Sequence, residues 1–547
     1  MASLNPITGN LGNQRAAHLL RRATFGFQTA DIQAFSGLTA TAAFQQLIQP
    51  QPTPALPIDY LSGTDWVHPN TKHPDRFTTT LSNFTSSWWI ESMRTSGANL
   101  TERMVWFYHT HFPLIISRVE SNPQFSLNYI RLLRFYALGN YKALAKAFCI
   151  DNGVLVHLDG KLNIKGVPQE NFGREFLELF TVGKGPQIGP EDYTNFTETD
   201  VKALTKVLTG WGTDTSYQTI DPNTNLPTGK VKGNGTMSTQ HDVSDKQFSA
   251  AFNNTLIQTP NVSGSNTTVQ GVYDELDDAI DMIFDSPHTA TNICRRVYRS
   301  FVYYDITPEI ETDIITPLAQ ILRNNNYEIT SVLEVLFSSE HFYDQDNTIT
   351  SDNNIGAIIK SPLDLIIGTL RLFELNVPDQ TTDLENHYNL YGQILNQLNL
   401  QGLNFFEPYD VAGYDPYFQV PDFQRYWISS NYLANRYKFA ELLINGFSAN
   451  GTTLLKLDFV QFVRDKCTDP ADPNVLIQEL MDWMIPITLT TDRFNYFKDT
   501  VLLDQLSAIN WSIEWNNYIN TNNDTNVRIQ LERLALAIMQ SPEYQLY

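Results

Sequence analysis

The chain has 547 residues, of which 42% are hydrophobic and 12% aromatic, so it can build a large core and is not intrinsically disordered. Its formal net charge of −22 opposes contact with phosphate backbones, and we expect no nucleic-acid partner. No apolar run reaches the ~18 residues of a transmembrane helix, so no membrane span is predicted.

The first residues lack the basic start and the apolar stretch of a signal peptide. We therefore expect the chain as given to be cytoplasmic. A mature exported form, from which a leader has been removed, is the alternative.

Helical periodicity dominates the sequence. Apolar residues recur at intervals of three and four in 16–23, 141–148, 201–208 and 329–336, and near 276–286, 290–303, 357–375, 428–447, 474–485 and 525–540. Thr197 and Asp200 resemble a capping box, and Gly210 suits the left-handed residue that follows a helix. Since alternating strand patterns are scarce, the sequence predicts an all-α fold with many helices.

One segment departs from this pattern. Residues 212–271 are rich in Gly, Asn, Ser and Thr and show little helical period, which predicts a loop-rich insertion with room for a short β-hairpin. The insertion separates an N-terminal helical region, 1–211, from a C-terminal helical region, 272–547. We expect these parts to form one compact unit or two closely packed helical lobes.

The segment ENFGREFLELF, residues 170–180, places polar side chains on one helical face. At 100° per residue its polar positions fall within an arc of about 140°, opposite Phe and Leu side chains. This face is either a salt-bridged surface stripe or a covered face whose carboxylates bind a metal or transfer protons. On the second interpretation the catalytic candidates are Glu170, Arg174, Glu175 and Glu178. We also expect Arg174 and Glu175 to be mostly buried and hydrogen-bonded to residues distant in sequence.

Histidines supply the candidate metal ligands. His109 and His111, in WFYHTHFP, point about 200° apart on a helix, so they could share one metal only if the backbone is extended there. The alternative is a structural role at a helix end. His241 and Asp242 lie together in QHDVSDKQF, within the loop-rich insertion. The candidate ligands are therefore His109, His111, His241 and Asp242, and the candidate cofactor is a divalent metal.

Two adjacent arginines follow the first apolar stripe. Arg21 and Arg22 cannot both point in one direction, so we expect at least one to point inward and pair with an acidic residue far along the chain. The alternative is a simple basic corner of the surface.

Several segments resemble a known bacterial family. They are AAHLLRRATFGF (16–27), MVWFYHTHF (104–112), LDGKLNIKGVPQENFGREFLELFTVG (158–183), FTETDVKALTKVLTGW (196–211), QHDVSDKQF (240–248), CRRVYRSFV (294–302) and IKSPLDLIIGTLR (359–371). From about residue 15 to the C-terminus the chain is similar to domain-of-unknown-function family 1800. Two features depart from the family pattern: Gln169 stands where relatives usually have Asn, and the segment after Gly183 is longer than usual.

The resemblance implies helical structure and an unassigned activity. Relatives often carry export signals and are commonly encoded beside a family resembling alkaline phosphatases and sulfatases, which makes such a protein a candidate partner.

Two classes of function remain open, because the sequence has no GxSxG, Walker A or convincing GxGxxG motif. The first is an enzyme, a metal-assisted hydrolase that uses the carboxylates of 170–178 with the histidines. The second is a non-catalytic scaffold or binding partner of an exported phosphatase- or sulfatase-like protein. A bound metal would favour the first class, and a large exposed apolar patch the second.

Overall fold

Most of the chain forms α-helices in a computed structural model that describes residues 2–58, 79–349 and 353–547. About 55% of the described residues are helical, which confirms the predicted all-α fold. The helices are α1 Gly12–Ala23, α2 Thr29–Ser36, α3 Ala40–Leu47, α4 Thr79–Thr95, α5 Thr101–His111, α6 Gln124–Phe135, α7 Tyr141–Cys149, α8 Asn152–His157, α9 Glu170–Glu175, α10 Glu198–Val207, α11 Val269–Asp285, α12 Pro287–Phe301, α13 Pro308–Ile310, α14 Thr316–Asn324, α15 Ile329–Ser338, α16 Pro362–Leu372, α17 Leu384–Leu400, α18 Ser430–Asn445, α19 Phe459–Lys466, α20 Pro473–Met484, α21 Thr491–Asn495, α22 Ala508–Thr521 and α23 Thr525–Met539.

Helix boundaries follow local capping chemistry. The backbone N–H of Thr197 donates to Asp200 Oδ2 at 2.7 Å, which completes a capping box at the start of α10. After α10 ends, Gly210 takes a φ of +83°, a left-handed conformation that glycine adopts without steric cost. Both features agree with the sequence prediction.

The loop-rich insertion contains short antiparallel strand pairs. The strands of the described chain are β1 Trp211–Gly212, β2 Lys230–Val231, β3 Met237–Ser238, β4 Lys246–Gln247, β5 Leu256–Ile257, β6 Thr267–Thr268, β7 Phe447–Ala449 and β8 Thr452–Leu455. The pairs are β1 with β2, β3 with β6, β4 with β5 and β7 with β8. The β4–β5 hairpin provides the short hairpin that the sequence allowed, whereas β7–β8 lies in a region for which no strand was predicted.

One continuous hydrophobic core includes side chains from all three predicted regions, among them Leu19, Phe248 and Leu531. The insertion contacts the helices through β4, which lies against α10, and through β3, β5 and β6, which lie against α11. The division at residues 211 and 271 stays a prediction. Within the described ranges, no helix is long and apolar enough to span a bilayer, as predicted.

Candidate functional site

The acidic face predicted at 170–178 lies at the surface and is only partly covered. Helix α9 continues into a π-helical turn, Phe176–Phe180. Arg174 Nη2 donates to Glu198 Oε2 at 2.6 Å and lies 3.8 Å from the Glu170 carboxylate. The expected distant partner therefore exists. Arg174 is only partly buried, since 30% of its side chain stays exposed where the guanidinium reaches the start of α10.

Glu175 is half-buried, and its carboxylate makes no hydrogen bond within the described part of the chain. The expected hydrogen bonds are wrong, because no donor reaches its carboxylate. Burial and the neighbouring Glu178 raise the pKa of Glu175 to about 7, a value suited to proton transfer near neutral pH. Glu178 itself pairs with Lys184 at 3.2 Å. The catalytic assignment of Glu170, Arg174, Glu175 and Glu178 stays a prediction.

His109 and His111 are buried in an aromatic region at the end of α5. The His109 ring lies edge-on to Trp89 and Phe406, and its Nε2 is 3.3 Å from Tyr414 Oη. Burial lowers the pKa of His109 to about 3 and that of His111 well below its usual value. Both side chains are therefore neutral imidazoles.

His241 belongs to a different and more polar cluster, at the contact between the insertion and α11. Its Nδ1 lies 2.9 Å from the Thr209 carbonyl oxygen, and its Nε2 lies 3.1 Å from Glu275 Oε2. Lys246 Nζ contacts the other Glu275 oxygen at 2.7 Å, and all three side chains are fully buried. We call His241, Glu275 and Lys246 the buried triad. It ties the insertion to α11 through charge-assisted contacts.

Asp242 is not part of the buried triad, although its carbonyl oxygen accepts a hydrogen bond from Lys246 Nζ. Its carboxylate accepts hydrogen bonds from the backbone N–H and the hydroxyl of Ser244, at 2.8 and 2.6 Å. Among the residues that the structure describes, no three His, Cys, Asp or Glu side chains are grouped so as to hold a metal ion. The ligand roles of His109, His111, His241 and Asp242 stay predictions.

A cavity of about 320 Å³ brings together ionisable residues that sequence reasoning did not select. It lies between the first residues of the chain, the end of α12 and the turn after α15. Its polar lining includes Tyr298, Asp305, Glu309, His341, Asp344 and Asp346. A concave site with convergent polar groups is the usual form of a small-molecule site.

Tyr298, His341 and Asp346 form a hydrogen-bonded chain in this cavity, which we call the Tyr–His–Asp relay. Tyr298 Oη lies 2.9 Å from His341 Nε2, and His341 Nδ1 lies 2.8 Å from Asp346 Oδ2. Because an ionised carboxylate only accepts, Nδ1 carries the proton and Nε2 accepts from the tyrosine hydroxyl. The amide nitrogen of Asn354 donates to the His341 carbonyl oxygen at 3.0 Å and lies 3.5 Å from Nε2.

The relay is held by main-chain pairing between distant segments. Tyr298 is carried on α12, and His341 follows the end of α15. The chain's first residues pair with that turn: the N–H of Ile7 donates to the Ser338 carbonyl at 2.9 Å, and the N–H of His341 donates to the Ser3 carbonyl at 3.0 Å. Burial raises the pKa of Tyr298 well above its usual value, so its hydroxyl keeps its proton at neutral pH.

Sequence reasoning missed the relay for a specific reason. Tyr298 follows Cys294 and Val297 at helical spacing, so it has the pattern of a core residue. His341 lies 43 residues further along, and no local motif joins the two. The one available signal was the position of Tyr298 in the family-like segment 294–302.

Comparison with known proteins agrees with the resemblance noted in the sequence. A family model described as "Protein of unknown function (DUF1800)" matches residues 18–546, nearly the whole chain. Neither the curated proteins nor the solved structures give a match. The chain therefore belongs to the DUF1800 family.

Proposed function

We propose that this protein is a hydrolase whose proton-transfer group is the Tyr–His–Asp relay. The observation that carries the proposal is the continuous hydrogen-bonded chain, with steps of 2.9 and 2.8 Å, in the wall of a 320 Å³ cavity. It meets the geometric test for a base held in one orientation by a third group.

In this proposal the relay acts as a general base toward water. The attacking water gives a proton to Tyr298 Oη as the tyrosine's own proton passes to His341 Nε2. The imidazolium that forms is stabilised by Asp346, which holds Nδ1–H in place throughout. The proton returns along the same path to the leaving group. The raised pKa of Tyr298 suits this concerted exchange, in which the phenolate is never a stable state.

The charge of the cavity restricts the substrate. Asp305, Glu309, Asp344 and Asp346 all line it, so phosphate and sulfate esters would meet like charge. A neutral or cationic substrate, with hydroxyl or amino groups for these carboxylates, is favoured. The bond cleaved is accordingly an ester, an amide or a glycosidic bond.

The test is a panel of chromogenic esters, amides, glycosides, phosphates and sulfates. We expect turnover within the first three groups. Tyr298→Phe and His341→Gln should each lower kcat/KM by about 10²–10⁴-fold. Tyr343→Phe is the matched control, since Tyr343 is a buried tyrosine whose hydroxyl has no hydrogen-bond partner in the described chain. Absence of turnover on the whole panel, or full activity in both relay variants, contradicts the proposal.

A second candidate function is a scaffold that binds an exported phosphatase- or sulfatase-like protein. An exposed apolar surface at α22 and α23 favours it. Ile509, Ile513 and Ile529 are 69%, 51% and 64% exposed, and the latter two line a groove of about 430 Å³. Glu514 borders this groove, while Asp504 is already paired with Arg533 at 2.9 Å, so a partner surface with apolar residues and a basic residue near Glu514 would fit it.

This second candidate is tested by co-purification with a phosphatase- or sulfatase-like protein of the kind commonly encoded beside relatives. Ile513→Asp combined with Ile529→Asp should abolish a complex seen by size-exclusion chromatography with light scattering. Ile519→Asp is the control, because Ile519 is equally exposed on α22 but lies outside the groove lining. A complex that survives the double change, or no complex with the parent, contradicts the scaffold proposal.

A further inference from the structure

Cationic side chains gather in the interior where α1, α5, α16 and α18 meet. Arg21, Arg22, Arg103 and Arg436 are buried, and Lys360 is largely buried. This concentration of positive charge stands out in a chain whose net charge is −22. Buried charges are normally paired with opposite charge, so the cluster needs a source of negative charge.

The protein itself supplies less negative charge than the cluster carries. Asp364 is the central carboxylate, and it pairs with Arg103 at 2.6 Å. Two further carboxylates, Asp344 and Asp482, act on the cluster only from its edges. Three carboxylates therefore face five cations.

Main-chain carbonyl oxygens accept many of the hydrogen bonds that these cations donate, but they carry no formal negative charge to balance the cations. Arg21 Nη2 donates to the Trp483 carbonyl at 2.9 Å, and Lys360 Nζ donates to the Tyr544 carbonyl at 2.7 Å. The prediction that Arg21 or Arg22 points inward is right. The predicted acidic partner is wrong, because within the described chain both guanidinium groups bond carbonyl oxygens.

The shortage of negative charge agrees with the direction in which the pKa values of these cations are shifted. Burial lowers the pKa of Arg21 and of Arg22 to about 10 and that of Arg436 to about 9. Burial and the charges of Arg21 and Arg436 lower the pKa of Lys360 well below its usual value.

A small cavity opens among these cations. Its volume is about 40 Å³, and Arg21, Lys360, Asp364 and Tyr547 line it. One water needs about 10–15 Å³ of such space, so this volume suits a group of two or three heavy atoms. Nε and Nη1 of Arg21 donate to no protein acceptor in the described chain, and Lys360 Nζ uses one of its three hydrogens. Donors for an anion are therefore in place.

We propose that this cavity binds a small oxyanion of the carboxylate class, held by Arg21 and Lys360. A carboxylate has the planar shape that a guanidinium fork and an ammonium can share, and it supplies the negative charge that the cluster lacks. This site is separate from the relay cavity, and the inference does not depend on the proposed function.

Sodium formate, the smallest carboxylate, is the probe. Binding to the full chain is measured by titration calorimetry and by the rise in Tm, with ionic strength held constant by a bulkier sulfonate. We expect saturable binding in the parent. Lys360→Met should weaken it at least about tenfold, because one of the two binding cations is lost. Asp364→Asn should strengthen it, because the central carboxylate is neutralised while an acceptor remains for Arg103.

Lys438→Met is the control, since it removes an exposed lysine in an i,i+3 pair that does not line the cavity. It should leave the affinity for formate unchanged. Lys360→Met and Asp364→Asn are expected to change the affinity for formate in opposite directions. A general effect of the substitutions on stability would not produce these opposite changes. If Lys360→Met does not fold, the affinity of Asp364→Asn for formate tests the proposal by itself. No saturable binding in the parent, or an affinity that Asp364→Asn fails to raise, overturns the proposal.

Discussion

The buried triad gives the sharpest prediction about stability. Glu275→Ala removes the carboxylate that contacts both His241 Nε2 and Lys246 Nζ. Within the described chain, the hydrogen bonds left to the buried Lys246 Nζ are those to the Thr259 hydroxyl and the Asp242 carbonyl oxygen. Removing one partner of a buried ion pair costs about 3–5 kcal/mol, since the remaining charge is uncompensated.

The size of the protein sets the change in Tm. With about 2.1 cal/mol/K of unfolding entropy per residue, a cost of this size lowers the Tm of a 547-residue chain by about 3–4 °C. Thermal melting followed by circular dichroism measures this shift. Because the triad ties the insertion to α11, hydrogen–deuterium exchange should rise first in peptides covering 237–259, which contain β3, β4 and β5.

Two variants serve as references. Glu441→Ala breaks an exposed pair with Lys438, so it should leave the Tm nearly unchanged. The Lys246→Met/Glu275→Leu double variant should regain much of the lost stability, because both opposite charges leave the interior together. A Glu275→Ala protein that melts within about 1 °C of the parent, with unchanged exchange at 237–259, would refute this account of the triad.

Three further predictions follow from other parts of the structure. Gly26→Ala should lower the Tm, because φ is +90° at this position and an added Cβ would lie 2.6 Å from Gly368 Cα. Gly368→Ala is the control and should not lower the Tm, because a Cβ added there, in the interior of α16, would lie 3.9 Å from its nearest neighbouring atom. The raised pKa of Glu175 means that the folded state binds the extra proton between about pH 4.5 and pH 7, so the parent loses stability as pH rises through that window. The Tm of Glu175→Gln minus the Tm of the parent should therefore increase from about pH 5 to about pH 8. A Tm difference that is the same at both pH values would contradict the assignment. Nitrogen-15 NMR of His341 should show Nδ1 protonated, and Asp346→Asn should change the balance of tautomers; a proton on Nε2 in the parent would contradict the relay.

The helices were predictable because their signals are local. Thr197, Asp200 and Gly210 lie within fourteen residues of one another, and each acts on the backbone beside it. The β7–β8 hairpin has an equally local signal in the two residues of its turn. Asn450 and Gly451 both take positive φ, the conformation that an Asn-Gly pair favours in a two-residue hairpin turn.

The candidate site could not be predicted from local signals, because it depends on which distant segments of the chain come into contact. Helical angles predict that Glu170 to Glu178 share one face. A π-helical turn begins at Phe176, and whether another element covers that face is a tertiary property. His109 and His241 looked alike as sequence signals, yet one lies among aromatic rings and the other faces a carboxylate. The relay depends on Ser3 pairing with His341, a contact that no local pattern encodes.

The reach of Arg21 has a consequence for synthesis in the cell. Its acceptors are the carbonyl oxygens of Asp482, Trp483 and Ile485, 461 to 464 residues later. At about 5–20 residues per second, a ribosome needs roughly 25–90 s to produce them after Arg21 emerges. Until then Arg21 lacks these acceptors, and the part of α1 that α20 covers remains open to misassociation, although α1 can already pack against α2. A nascent chain stalled before α20 is therefore expected to be sensitive to protease at α1 and to need a chaperone during that interval.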